Sequence, residues 1–173
     1  MCEFPEGFKY TKGGHSVPPS TNHSLVKEFN AQFSTNEQIE NTAKNQTGTT
    51  LINEKEVQTL RDARAGCKKT GKHILNLEDF YFHYIFSLLS RLGICVWAPN
   101  LEEAPGFLYN EACRTVALMT LFQLSCSGAY QYMHANISYL NEINLLHCAY
   151  VHFVHDLMTE KFKKENKQAG TNF

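Results

Sequence analysis

The residues whose chemistry stands out lie near the C-terminus. Cys148, His152 and Asp156 fall at i, i+4 and i+8, the repeat of one helix face. His155 follows His152 by three residues, and His147 precedes His155 by eight. A His pair three or four apart can ligate zinc, and a Cys–His pair can hold an activated thiolate. A zinc site needs four ligands, and no second cluster at metal spacing occurs; Cys67 and His73 are remote in sequence. The plainer use of Cys148, His152, His155 and Asp156 is to fill a semi-buried helix face. They are metal candidates at most, and neither a cofactor nor a catalytic residue is expected.

Other chemistries meet the wrong residues. A di-iron bundle needs Glu-x-x-His, but Arg114 stands three after Glu111 and Leu145 three after Glu142. Gly66 to His73 holds a glycine pair and a lysine, yet no strand precedes it and His73 stands where a phosphate loop needs Ser or Thr. The nucleophile elbow G-x-S-x-G and the zincin pattern H-E-x-x-H do not occur. No catalytic motif is found, which points away from an enzyme.

Charge is the next signal. The chain has 173 residues, with 16 Lys and Arg against 17 Asp and Glu. That near-neutral total hides blocks. Residues 51–72 hold six basic and three acidic side chains; residues 73–158 hold only Arg91 and Arg114 against seven acidic ones. Lys161, Lys163, Lys164 and Lys167 make the end basic again. Solvated chain collects charge, and that alone accounts for the pattern. The alternative is a weak, salt-sensitive nucleic-acid contact through segments 55–72 and 161–167, with Arg61, Arg64, Lys68, Lys69 and Lys72 on phosphates.

The six cysteines are scattered, with no CxxC, and read as small buried hydrophobes rather than a disulfide framework. The first residues lack the basic and apolar regions of a secretory signal. An intracellular protein, cytoplasmic or nuclear, is therefore expected. Residues 115–141 carry no formal charge, but Gln123, Ser125, Gln131, His134 and Asn136 make a membrane span costly. A buried helix pair is the better reading.

These residues need elements to place them. Residues 1–50 hold 13 apolar residues among many Asn, Thr, Ser and Gln, and read as a disordered polar tail. Leu25, Val26, Phe29 and Phe33 have helical spacing but read as a solvent-exposed accident. Residues 51–72 read as a basic helix or linker, with a helix at 53–69 capped by Asn53. Residues 73–168 carry the bundle. Its first helix, 77–92, is capped by Asn76 and ends at Gly93. Leu77, Phe80, Tyr81, Tyr84, Ile85, Leu88, Leu89 and Leu92 form its stripe, with Phe82 and Phe86 behind. A connector follows, containing Pro99 and Pro105, with Asn100 and Glu103 spaced as a short capping box. The second helix runs 107–133, with Gly128 as a candidate break. The third runs 137–167 with a heptad-like seam of Tyr139, Ile143, Leu146, Tyr150, Phe153 and Leu157. Residues 169–173 read as a disordered end. The expected fold is all-α: three main helices in a small bundle, a weaker basic helix and a disordered N-terminal tail.

Four segments, Leu77 to Leu89, Leu108 to Arg114, Ser127 to Tyr130 and Ala149 to His155 followed by Lys161 to Glu165, resemble a protein family expanded in rust fungi that has no assigned activity. The similarity spans roughly residues 55–170 and implies no catalytic residues. Family members continue with a further basic segment, so the resemblance implies a truncated copy. The expected function is a non-enzymatic helical module that binds another macromolecule, a protein before a nucleic acid. A Cys/His metal or enzyme site on the last helix ranks third.

Overall fold

The computed structural model describes residues 23–59, 78–130 and 136–169. The fold is all-α, and no strand occurs among the described residues. Helix α1 spans His23–Gln32, α2 Asn36–Lys44, α3 Asp79–Arg91 and α4 Leu108–Cys126. The last column is α5 (Ile143–Val151), a π-helical segment (His152–Met158) and α6 (Thr159–Ala169). The junction residues Val151, His152 and Thr159 keep right-handed helical backbone, so the column is unbroken. Short 3-10 turns occupy Glu54–Glu56 and Ile137–Asn141.

The tail expected over 1–50 needs correction where it can be seen. Residues 1–22 lie outside the described residues. Residues 23–50 are folded, and Val26, Phe29, Phe33, Ile39 and Ala43 are buried in the common core. Thr35 caps α2 by accepting from the Gln38 N–H at 3.3 Å, and the Gln38 side chain accepts from Ser34 N–H at 2.8 Å. Phe29 packs on Phe33 at 4.8 Å and edge-on to Tyr109 of α4 at 5.4 Å. Total apolar content is low in this segment, but spacing concentrates it on one side of each helix, which is what burial requires.

The helix expected at 53–69 is also corrected over its described part, residues 53–59. Asn53 does cap, in a capping box with Glu56, but the turn ends at Val57, whose backbone is extended. Val57 and Thr59 are buried, and Gln58 N–H donates to Cys95 O at 2.8 Å. Two inward anchors and a cross-chain hydrogen bond hold this stretch open. Residues 60–77, with the expected cap Asn76, lie outside the described residues.

Helix α3 buries Phe82, Ile85, Phe86, Leu88 and Leu89, while Phe80 is exposed. Its inner face is thus turned toward the side expected to lie behind. Gly93 ends it as expected, with φ of 70°. Gly93 N–H donates to Ser90 O and Ile94 N–H to Leu89 O, a Schellman closure that needs the left-handed residue. The same closure ends α4 at Gly128, φ 83°, where Gly128 N–H reaches Ser125 O and Ala129 N–H reaches Leu124 O. The break replaces the continuation expected to residue 133. Helix α4 touches α1, α2, α3 and α5 and is the hub of the core.

The connector 94–107 is irregular but buried at Ile94, Trp97, Ala98 and Asn100. Asn100 N–H donates to Asn110 Oδ1 at 2.8 Å, and Asn110 Nδ2 returns to Asn100 O and Ala104 O, each at 3.0 Å. Trp97 Nε1 donates to Cys113 O at 2.8 Å. Asn100 Oδ1 accepts from Glu102 N–H, which makes a turn rather than the short helix its spacing suggests. Buried side-chain amides replace the ladder that a loop lacks.

The last column departs most from expectation. Tyr139, Ile143 and Leu157 of the seam are exposed, and the buried set is Tyr150, Val154 and Met158. The π segment begins inside this set and widens the turn, so residues four apart stay on one side. Residues 137–141 stand apart as a 3-10 turn, because Glu142 leaves the helical backbone region.

Candidate functional site

The column sets one of the four residues that the sequence groups apart from the other three. His152 Nδ1 donates to Asp156 Oδ2 at 3.0 Å, and both side chains are largely exposed. Cys148 is exposed and in no disulfide. His155 turns inward, with its ring 6.3 Å from that of Tyr150. Among the described residues no group of three or more His, Cys, Asp or Glu is placed to hold a metal ion. Cys148, His152 and Asp156 are thus all exposed, and His155 alone is turned away from them.

The polar cluster that does form lies between α4 and the column. Arg114 makes a two-pronged ion pair with Glu111, which is buried. The same guanidinium donates through Nη1 to His147 Nε2 at 2.6 Å. One turn on, the Tyr150 hydroxyl is buried without a hydrogen-bond partner, and so is His155 Nε2. The spacing groups His147 and His155 with Cys148, His152 and Asp156 on the same column. Nothing in the spacing shows that residues 36 and 33 positions apart, Glu111 and His147, Arg114 and His147, would meet through one guanidinium.

The chemistry open to this cluster follows from burial. Burial pushes the Cys113 thiol up to about 12, beyond what its hydrogen bonds to Tyr109 and Ala98 recover. Burial also holds the Tyr109 and Tyr150 hydroxyls well above the usual phenol range. The His155 imidazole is pushed down by burial, against the pull of Asp156. At neutral pH these groups are thiol, phenol and neutral imidazole. None is an activated nucleophile. The arrangement ties two helices together through a neutralised charge pair.

The cysteines divide. Cys113 is the buried hydrophobe expected, but Cys126 and Cys148 are exposed; Cys2 and Cys67 lie outside the described residues. The basic residues Arg61, Arg64, Lys68, Lys69 and Lys72 also lie outside them. Of the C-terminal lysines, Lys163, Lys164 and Lys167 are exposed on α6, and Lys164 sits 3.9 Å from Glu160.

Two features escape sequence reasoning altogether. Helix α5 is rich in apolar residues yet buries only Tyr150. Ile143 is 60% and Leu145 51% exposed, with Ile137 and Tyr139 open on the turn before. Arg91, in the last turn of α3, is buried where a helix-terminal cation normally reaches water. Its position signals only a favourable dipole. No helix among the described residues is long and apolar enough to cross a membrane. No family model, no curated protein and no solved structure matches this chain.

Proposed function

We propose that the chain is a non-enzymatic helical module that binds another protein through the exposed first turn of α5 and the 3-10 turn before it. The supporting observation is the exposure of Ile137 and Tyr139 on that turn and of Ile143 and Leu145 on α5, which buries only Tyr150. Apolar surface left together in water marks interaction sites, and a helical edge fits a hydrophobic groove. Under the same proposal the module works in the cytoplasm or nucleus, and belongs with the rust-fungal family that residues 55–170 resemble.

The test compares the tagged full chain with Ile143→Glu/Leu145→Glu. Both positions are exposed, so circular dichroism should not change. The wild type should retain a stoichiometric protein partner that the variant loses. Equal retention by both, or none by the wild type, removes the reading. The nucleic-acid alternative draws on Lys163, Lys164 and Lys167. Retention on DNA or RNA that persists at physiological salt would favour it over protein binding.

A further inference from the structure

Helices α1, α2 and α3 end side by side around a cavity of about 360 Å³, inside the range of small-molecule sites. Arg91 lines it and is 3% exposed. Its Nε donates to Ser87 O at 3.3 Å, but Nη1 is buried with no hydrogen-bond partner. No carboxylate pairs with it among the described residues. A guanidinium cannot shed its proton, so the charge stays in place. A buried charge with an unused donor is costly, and a bound anion would relieve it.

The rest of the lining is free of acids and rich in neutral hydrogen-bonding groups: Gln32, Thr42, Asn45 and Thr49. Asn45 Oδ1 is already taken by the Thr47 N–H at 3.3 Å and hydroxyl at 3.2 Å. Its remaining polar end is the donating Nδ2. A Cβ on Gly48 would stand 3.0 Å from that nitrogen, so glycine keeps the amide clear. Phe33 and Leu51 supply apolar wall.

The geometry points to a binding site for a small organic monocarboxylate, its oxygens on Arg91 and the neighbouring donors and its apolar body against Phe33 and Leu51. One guanidinium balances one carboxylate and offers it a matching fork. A phosphate dianion would leave negative charge facing three helix C-termini. Those ends oppose any anion, which sets a weak affinity, about 1 mM. The site is separate from the α5 surface and does not depend on it.

The full chain is titrated with sodium benzoate at constant ionic strength, and with benzamide as the neutral match, following backbone amide shifts. Benzoate should saturate with Kd about 1 mM and move Asn45, Gly48 and Leu51, with benzamide about tenfold weaker or worse. Arg91→Met should lose about tenfold or more. Failure of benzoate to saturate, equal binding of benzamide, or tighter binding of inorganic phosphate overturns the assignment. Should Arg91→Met fail to fold, Gly48→Val, which crowds the Asn45 amide, takes its place. Unchanged benzoate affinity in that variant overturns the assignment equally.

Discussion

Met158 and Leu157 are neighbours of similar size, and the π segment gives them opposite fates. Met158 is 3% exposed and Leu157 48%. Truncating a fully buried methionine to alanine removes its transfer free energy and leaves a cavity, which together cost about 3 kcal/mol. Truncating Leu157 deletes three carbons at about 0.8 kcal/mol each, but only half of that surface is hidden and water fills the space, so about 1 kcal/mol is lost. The difference of about 2 kcal/mol corresponds to roughly thirtyfold in the folding equilibrium. Guanidinium unfolding of the full chain, followed by circular dichroism, measures it, with the slope m compared between variants to confirm that the same surface unfolds. Val154→Ala provides a third point, since Val154 is fully buried and should cost about 2 kcal/mol. A uniform α-helix with the seam through Phe153 and Leu157 would reverse the order. Leu157→Ala costing as much as Met158→Ala refutes the π register.

Arg114→Met should cost about 3 kcal/mol in the same unfolding assay, because it leaves the buried Glu111 carboxylate without its partner. The double variant Glu111→Gln/Arg114→Met should recover much of that loss; an additive double variant argues against coupling. With a thiol-specific alkylating reagent and peptide mapping, Cys126 and Cys148 should react in the native state, while Cys113 stays silent from pH 6 to 9. Its thiol, pushed up to about 12 and fully buried, yields no thiolate there; native labelling of Cys113 ahead of Cys148 would contradict the core assignment. Burial lowers the His155 pKa in the folded chain, so the unfolded chain takes up the proton first as pH falls through the ordinary histidine range near 6.5. The stability contributed by a neutral His155 is present above that range and is lost below it. Replacing His155 with Leu should flatten the fall in stability between pH 7 and 5.5, and an unchanged slope would show that His155 takes no part.

Helix signals carried by spacing and caps are legible in the chain. Gly93 announces the end of α3, and Asn53 with Glu56 announces a cap; both act as their types require. Gly128 shows how a signal can be seen and not ranked, since a helix can carry a glycine at modest cost, and only its left-handed φ makes it a terminator. Residues 23–44 carry helix signals as well, in Thr35 with Gln38 and in Val26, Phe29 and Phe33, which the reading of 1–50 as a tail passes over. Composition averaged over 1–50 hides them, because disorder is a property of surface that can be buried and not of percentage. The partner for that surface, Tyr109 and the rest of α4, lies some 80 residues away and leaves no local trace. The same holds for Glu111, Arg114 and His147, and for the burial of Arg91. Local sequence can state that a cation ends a helix, but not that two other helices close over it.

The π segment connects these departures. A side chain four residues on in an α-helix is displaced by about 40° from its predecessor, so Tyr150, Val154 and Met158 would drift by about 80° around a regular helix. Leu157, seven residues on from Tyr150, would then lie within about 20° of it and nearer the middle of that side than Met158. Widening the turn across His152–Met158 absorbs the drift and lets one side bury a Tyr, a Val and a Met in succession. His152 and Asp156 remain a solvent-facing i, i+4 pair, while His155 turns in toward Tyr150. The α5 half of the column meets Arg114 through His147, while Ile143 and Leu145 stay exposed near its start. The burial of Met158 beside an exposed Leu157 and the inward turn of His155 are therefore read from one backbone choice. A substitution that restored a regular α repeat here would bring Leu157 toward the core at the expense of Met158.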